Sequence, residues 1–390
     1  MNEHLLASYA DAVALLKQQN NHRAFRQMHH QDRYIITPDN QKLLNLASND
    51  YLGVATNHDW QQEFLATWQT DLPFGSSSSR LLTGNFESYE RLEWRLSQAY
   101  GRSCLLFNSG YHANVGIIPA ICDGRTMILA DKLVHASMID GIRLSAAKCV
   151  RYAHQDFAQL TRLVERYQDD DAIDKIIIMT ESIFSMDGDI TDLPVLVNLK
   201  KQHNKVMLYV DEAHAIGTHG DGLGCAIKFA VAEQIDWLVG AFGKAIGSVG
   251  AFVICHDVMK DFLINKVRPL IFSTALPPIN VAWTDFVMAR LPSLAAQRQR
   301  LTMMAQDLIA YIRDLGWQCP SASHIVPMIV GENTAVLQMA KNMQQQGLFV
   351  LAVRPPTVPV GQSRIRLCLN ATISDDEFAK LKTVLSEMAN

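Results

Sequence analysis

The sequence lacks the features that define several broad classes of protein. No uninterrupted apolar run reaches the roughly 18 residues that a membrane-spanning helix needs. The first residues, Met-Asn-Glu-His-Leu-Leu, contain no basic segment of the kind that opens a secretory signal. The seven cysteines are scattered and form no C-x-x-C pair, which favours free thiols in a reducing compartment over disulfides or a metal site. We therefore expect a cytoplasmic protein that holds no metal ion.

An excess of charge of one sign is also missing. The chain has 35 Lys and Arg against 39 Asp and Glu, a formal net charge of -4, and this balance disfavours a nucleic-acid-binding protein. At 390 residues the chain is too long for one simple core. The pattern predicts an N-terminal arm over residues 1–45, a large domain over 46–285 and a small C-terminal domain over 286–390.

Two nucleotide-binding fingerprints are absent. Asp211-Glu-Ala-His214 spells the tetrapeptide of a nucleic-acid-dependent ATPase, but such an enzyme also needs the phosphate loop G-x-x-x-x-G-K followed by Ser or Thr. The nearest match surrounds Lys244, where Leu238 replaces the first glycine and Ala245 replaces the hydroxyl residue. G-x-G-x-x-G does not occur at the glycine clusters after the predicted strands. The DEAH-type ATPase therefore stays a disfavoured alternative.

Short apolar runs, most of them separated by helical or loop segments, predict a largely parallel sheet. The candidate strands cover residues 104–107, 127–129, 149–152, 176–179, 206–210, 237–239 and 252–255. This alternation of strands and helices is typical of an α/β protein with helices on both faces of the sheet. In such a protein the functional loops lie beyond the C-terminal ends of the strands.

Polar residues follow four of these strands at the point where functional loops are expected. They are His135, Ser182, Ser185, Asp211, His214 and Lys244. Any one of them alone is more often a surface or helix-capping residue, but together at one sheet edge they predict a reactive site. Lys244 stands in a loop with four glycines, which allow the main chain to approach a ligand closely.

A phosphate site is predicted where the strand over residues 104–107 passes through Asn108-Ser109-Gly110-Tyr111 into a helix. Unpaired backbone N–H groups and the helix dipole favour an anion at such a helix N-terminus. A lysine in a glycine-rich loop, an aspartate at a neighbouring strand end and a phosphate site are what pyridoxal 5'-phosphate (PLP) requires. The sequence therefore predicts a PLP enzyme.

The chain resembles the α-oxoamine synthases, PLP-dependent enzymes that join an amino acid to an acyl thioester with loss of CO2. The segments that carry the resemblance are Ser48–Gly53, Thr180–Gly188, Val210–Gly217, Phe242–Lys244 and Phe272–Thr274. The resemblance implies a fold-type-I PLP-dependent transferase, with a mostly parallel central sheet and a smaller C-terminal α+β domain. It also implies a homodimer with shared active sites.

The resemblance assigns a role to each site residue by its position in these motifs. Lys244 is implied as the Schiff-base lysine and Asp211 as the partner of the pyridine nitrogen. His135 is implied to stack on the ring. His214 and Ser185 are implied to contact its phenolic oxygen. The residues implied to flank the cofactor or reach its phosphate are Ser109, Gly110 and Tyr111 and, from the other subunit, Ser273 and Thr274. Asn49 and Arg354 are implied to hold the carboxylate of the amino acid.

The loop that carries Arg354 indicates which substrates the protein binds. Its three prolines fix the backbone, and a rigidly displayed guanidinium suits a carboxylate. The segment Ala352–Pro359 most resembles the family member that condenses L-alanine with a pimeloyl thioester, carried by coenzyme A (CoA) or acyl carrier protein (ACP). A ligase that uses glycine and acetyl-CoA is the alternative.

The sequence departs from the family at two places. Ala241 stands where relatives have Thr or Ser, which removes one phosphate contact worth about 1 kcal/mol unless Ser248 or a water replaces it. Residues Ser76 to Ser79 stand where relatives tend to have glycines, in a loop near the thioester. The sequence therefore indicates the type of reaction more directly than it indicates the acyl donor.

Overall fold

The structure is a computed structural model that describes residues 3–68 and 73–389. Its strands are β1 (His29–Gln31), β2 (Tyr34–Ile36), β3 (Lys42–Asn45), β4 (Ser103–Phe107), β5 (Thr126–Asp131), β6 (Lys148–Tyr152), β7 (Lys175–Glu181), β8 (Val206–Asp211), β9 (Trp237–Ala241), β10 (Ala251–Cys255), β11 (Ile325–Gly331), β12 (Leu348–Phe349), β13 (Ala352–Val353) and β14 (Ser363–Cys368).

The α-helices are α1 (Glu3–Gln18), α2 (His58–Thr67), α3 (Glu87–Tyr100), α4 (Gly110–Ile121), α5 (Ala136–Leu144), α6 (Phe157–Gln168), α7 (Leu193–Gln202), α8 (Cys225–Lys228), α9 (Asp257–Lys266), α10 (Arg268–Ile271), α11 (Pro278–Ala289), α12 (Ala295–Asp314), α13 (Asn333–Gln345) and α14 (Asp375–Ala389). A π-helical turn covers Arg80–Gly84, and short 3-10 turns cover Gly220–Gly222, Ala232–Gln234 and Leu291–Leu294.

The chain divides into two compact units. The larger unit contains Asn49–Ser185 and Asp189–Arg300. The smaller unit contains the residues up to Ser48, the short segment Met186–Gly188 and the residues from Leu301 onward. The domain boundaries given above from the sequence stay a prediction.

A seven-stranded sheet forms the centre of the larger unit, with the strand order β4-β10-β9-β8-β7-β5-β6. The pairs that join β6, β5, β7, β8 and β9 are all parallel. Only β10, within this sheet, runs antiparallel to both of its neighbours, β4 and β9. The predicted α/β class with a mostly parallel sheet is therefore confirmed.

Burial on both faces explains why these strands consist of apolar runs. The strands β5, β9 and β10 are buried at every position, as expected for strands covered by helices on both sides. On one face, Ile177, Met179, Tyr209, Trp237 and Val239 pack with apolar residues of α4 and α5 in a single core. The predicted site residues His135, Asp211 and Lys244 lie at or after the C-terminal ends of strands in this sheet.

The smaller unit contains two small sheets. One has the order β1-β2-β3-β12, in which β3 and β12 are parallel. The other is an antiparallel sheet with the order β11-β14-β13. The segment Met186–Gly188 is fixed in this unit, because Arg364 donates a hydrogen bond of 2.6 Å to Asp187 and Ala322 N donates to Gly188 O.

Across the part of the chain that the structure describes, no helix is both long enough and apolar enough to cross a membrane. Among the same residues, no group of His, Cys, Asp and Glu side chains is arranged to hold a metal ion. The seven cysteines are free thiols, and Cys149 is the exposed one.

Candidate active site

Three neighbouring strands of the large sheet end in residues that share one face. In the β7–β8 register Glu181 lies beside Asp211, and in the β8–β9 register Asp211 lies beside Val239. Because side chains alternate along a strand, Glu181, Asp211 and Ala241 point to the same side as the core residues that pack on α4 and α5. These three strand ends therefore lie on the face of the sheet that α4 and α5 cover.

Asp211 is held rigidly at this place by hydrogen bonds. Its side chain is only 6% exposed. Oδ2 accepts a hydrogen bond of 2.8 Å from Asn114 Nδ2, and Oδ1 accepts one of 2.9 Å from Ala213 N. Asn114 is fixed in turn by Tyr209, whose hydroxyl donates to Asn114 Oδ1 at 2.7 Å. These contacts give a carboxylate of fixed orientation that retains lone pairs for a further partner.

His135 belongs to the same network. It caps the N-terminus of α5, and its Nδ1 lies 2.7 Å from Ser137 Oγ. Asn114 Nδ2 donates to that hydroxyl at 2.9 Å. Asn114 thus connects His135 to Asp211, while the imidazole ring remains exposed.

A second cluster links Asn49, Tyr51 and His214. The Tyr51 hydroxyl lies 2.7 Å from His214 Nδ1 and donates to Asn49 Oδ1 at 2.9 Å. Tyr51 is fully buried and His214 is nearly so. One hydroxyl therefore positions two of the predicted site residues.

The glycine-rich loop between β9 and β10 is a closed turn around Lys244. Phe242 N donates to Gly250 O at 2.9 Å, and Gly247 N donates to Lys244 O at 2.9 Å. Gly247 has a φ of +60°, and a Cβ there would lie 2.5 Å from Ala55 N. Glycine is therefore required for both its conformation and its close packing.

The predicted phosphate site lies at the N-terminus of α4. Ser109 caps this helix and accepts a hydrogen bond from His112 N at 3.2 Å. The side chain of Ala241 faces the helix start, since a Cβ built on Gly110 would lie 3.7 Å from Ala241 Cβ. Tyr111 points along the helix surface, and its hydroxyl donates to Asp140 at 2.5 Å.

Ser273 and Thr274 lie beside this turn within the same chain. Asn108 Nδ2 donates to Thr274 O at 2.7 Å and lies 3.5 Å from Ser273 Oγ. The Ser248 hydroxyl is engaged elsewhere, because it lies 2.7 Å from Thr284 Oγ1. Ser248 therefore does not replace the hydroxyl that Ala241 lacks.

Ser185 and Arg354 complete the predicted set. Ser185 is partly buried in the loop after β7. Arg354 lies in the smaller unit, where burial and the charge of Arg23 lower its pKa. Its buried Nε has no hydrogen-bond partner among the described residues, as expected of a donor that awaits an acidic ligand.

The structure adds residues that the sequence reasoning did not assign: Tyr51, Asn114, Ser137 and Glu181. Glu181 is 3% exposed. Burial raises the pKa of its carboxyl group well above the usual range, and the nearby charge of Asp211 adds to this effect. The charge of Lys244 and a hydrogen bond from the His135 backbone oppose the shift. The sequence did contain a signal for Glu181, because it is a polar residue at the end of an apolar strand.

These residues fit PLP. The N-terminus of α4 offers backbone N–H groups to a phosphate, Asp211 offers a fixed carboxylate to a ring nitrogen, and Lys244 offers an amine from a tightly packed loop. Glu181 Oε1 is buried without a hydrogen-bond partner among the described residues, so a polar atom remains for a ligand.

The fold and this donor set define a PLP-dependent enzyme of fold type I. The chain belongs to the aminotransferase class I and II family, whose model matches residues 41–385. This membership confirms the predicted cofactor and enzyme class and leaves nothing to support the ATPase alternative.

Relatives and solved structures agree with this placement. A protein from Pasteurella multocida named "Putative 8-amino-7-oxononanoate synthase" is 51% identical to the chain over 389 residues, which is 99% of this chain and 100% of that protein. A crystal structure of 8-amino-7-oxononanoate synthase from Francisella tularensis is 26% identical, with a TM-score of 0.75 over 88% of this chain and 97% of that one. Serine palmitoyltransferase from S. paucimobilis, solved with PLP and myriocin, is 24% identical, with a TM-score of 0.89 over 100% of this chain and 98% of that one, and supports the fold.

Proposed function

We propose that this protein is an acyltransferase that condenses L-alanine with a pimeloyl thioester. The products are 8-amino-7-oxononanoate, CO2 and the free carrier, which is CoA or ACP, and the reaction belongs to biotin biosynthesis. The observation that carries the proposal is the match over 99% of the chain to a relative that bears the name of this activity. The hydrogen bonds that fix Asp211, His214 and Asn49 support it as well.

In this proposal the residues at the strand ends hold the cofactor. Lys244 binds it covalently, and Asp211 faces the ring nitrogen in the orientation that Asn114 fixes. His135 stacks on the ring from the N-terminus of α5. The phenolic oxygen is contacted by His214, which Tyr51 positions, and by Ser185.

The phosphate is held at the start of α4. Ser109 and Gly110 place backbone N–H groups there, and Tyr111 flanks the cofactor. Ser273 and Thr274 serve the phosphate of the partner subunit in a homodimer. Asn49 and Arg354 bind the alanine carboxylate, and the buried Nε of Arg354 supports this role.

The chemistry divides between the cofactor and the chain. Bound PLP would withdraw electrons from the α-carbon of alanine, and the Asp211 carboxylate beside the ring nitrogen would keep the ring electron-poor. Once the amine of alanine has displaced it from the cofactor, Lys244 Nζ would be free to remove the α-proton and later return a proton to the same carbon, as a general base and acid. Attack by the α-carbon on the thioester carbonyl would expel the carrier thiol, and the carboxylate would then depart as CO2.

The direct test supplies the purified holoenzyme with L-alanine and either pimeloyl-CoA or pimeloyl-ACP. Mass spectrometry should detect 8-amino-7-oxononanoate, with one free thiol released per product. Lys244→Ala should abolish formation of the product. A parallel reaction with glycine and acetyl-CoA distinguishes the alternative, because turnover only with that pair would replace the proposed synthase by a 2-amino-3-oxobutyrate CoA ligase.

A further inference from the structure

A partly buried cluster outside the assigned residues joins two loops that lead to His135 and Ser185. The ring of His154, which follows β6, bridges two carboxylates. Its Nδ1 lies 2.9 Å from Asp131 Oδ1, and its Nε2 lies 2.9 Å from Asp189 Oδ2. Since each ring nitrogen faces an acceptor, the ring carries a proton on both nitrogens.

Each of the two carboxylates anchors a loop that leads to a cofactor residue. Asp131 is the last residue of β5 and is 1% exposed, and it accepts hydrogen bonds from Leu133 N at 2.8 Å and Gln155 N at 2.9 Å. The chain reaches His135 at the next helix start. Asp131 therefore fixes the segment that delivers His135.

Asp189 joins the loop after β7 to His154 through its carboxylate, and it closes a turn of that loop through its main-chain oxygen. Phe184 N donates to Asp189 O at 3.2 Å, which closes the turn that contains Ser185. The edge of the His154 ring also packs against the Phe184 ring, at a centroid distance of 4.5 Å and an angle of 85°. Polar and aromatic contacts from one imidazole thus hold both loops.

We propose that His154 is a positioning residue of the cofactor site, which fixes the spacing between the loops that carry His135 and Ser185. This inference rests on the roles proposed above for those two residues. The functional consequence is that His154 controls how tightly PLP is held and how its ring is oriented, although His154 itself does not touch it.

The charge of the ring strengthens this bridge. Burial opposes the charged form, but the hydrogen bonds to Asp131 and Asp189 outweigh burial and raise the pKa of His154 to about 10. The facing groups are these two carboxylates, the amide of Gln155, which donates to Asp189, and the buried Glu181, which interacts with Asp131. The pKa of His154 in the folded protein lies above the usual 6.5. The stabilisation by the charged ring is therefore complete below pH 6.5 and disappears as the pH rises through about 10.

The test compares His154→Asn with His203→Asn in the holoenzyme. His203 is a matched control, because it bonds to a neutral side chain, Gln168, at the C-terminal end of α7, away from the site. The circular dichroism of bound PLP reports its orientation, and the rate of PLP loss to a scavenger reports how tightly it is held. We expect His154→Asn to accelerate PLP loss about tenfold and to weaken the dichroic band, whereas His203→Asn changes neither. Unchanged dichroism and PLP loss in His154→Asn, with only a lower melting temperature, would overturn the inference.

Two further arms keep the test decisive. If His154→Asn does not fold, Asp189→Asn removes one of the two charges and should accelerate PLP loss by a smaller factor; no acceleration there overturns the inference. The ratio of PLP-loss rates between variant and parent should also shrink from pH 7.5 to pH 10.5, and a constant ratio would contradict the role of the charge. These readouts need no substrate, so a failure of the proposed condensation alone leaves them intact.

Discussion

The replacement Ala241→Thr should tighten PLP binding. Ala241 is the last residue of β9 and is 7% exposed. Its Cβ faces Gly110 at the start of α4, and no side chain intervenes because Gly110 has none. A threonine hydroxyl at this position therefore reaches toward the predicted phosphate.

The size of the effect follows from one added hydrogen bond to a charged acceptor. Such a bond contributes about 1.5–3 kcal/mol. Fixing the hydroxyl and displacing water reduce that gain to about 1 kcal/mol, or about fivefold in the dissociation constant. Ser248 does not already supply the bond, because its hydroxyl lies 2.7 Å from Thr284 Oγ1.

The assay is a titration of the apoenzyme with PLP, followed by the absorbance of the bound cofactor. Ala241→Val is the matched control, since valine has the shape of threonine without its hydroxyl. We expect Thr to bind PLP about fivefold more tightly than Val. Equal affinities for Thr and Val would show that the Ala241 side chain does not face the phosphate, and the placement of the phosphate at α4 would then be wrong.

Three other predictions concern the network, the substrate and pH. Asn114→Leu leaves Asp211 without its 2.8 Å hydrogen bond, so PLP affinity should fall by about 1–3 kcal/mol in the same titration; an unchanged affinity would contradict the role of Asn114. Arg354→Ala should raise the KM for alanine strongly with unaltered PLP absorbance, and an unchanged KM would remove Arg354 from the site. Burial raises the pKa of Glu212 from 4.5 to about 8, so this group lowers stability progressively as the pH rises from 4.5 to 8. Glu212→Gln should therefore gain melting temperature relative to the parent across that range, and a constant difference would refute the shift.

The strand ends and the glycine-rich loop were predictable because their signals are local. A buried parallel strand is a continuous apolar run, and a polar residue directly after it stands out. Asp211 and Lys244 were selected in this way, and the resemblance to the family then implied their roles. The fold class followed from the same alternation of strands and helices.

The partners of these residues were not predictable from local pattern. Tyr51 and His214 are 163 residues apart in the chain, and Asn114 and Asp211 are 97 apart. No spacing rule connects positions so distant, since only the assembled sheet brings β8 against α4. Asn114 in particular appears in the sequence as an isolated polar residue between Ala113 and Ile117 on an otherwise apolar helix face. The departure at Ala241 was visible in the sequence, but only the structure shows that Ser248 is engaged elsewhere.

The network around Asn114 couples two residues that are proposed to contact the cofactor ring. Its Nδ2 donates both to Asp211, the proposed partner of the ring nitrogen, and to Ser137, which contacts His135. A shift of the Asn114 amide would therefore move the His135 imidazole, which is proposed to stack on the ring, together with the Asp211 carboxylate. His154 is proposed to act on the same residue through Asp131. Replacing Asn114 and His154 together should therefore weaken PLP binding by an amount different from the sum of the single effects, because both act through His135.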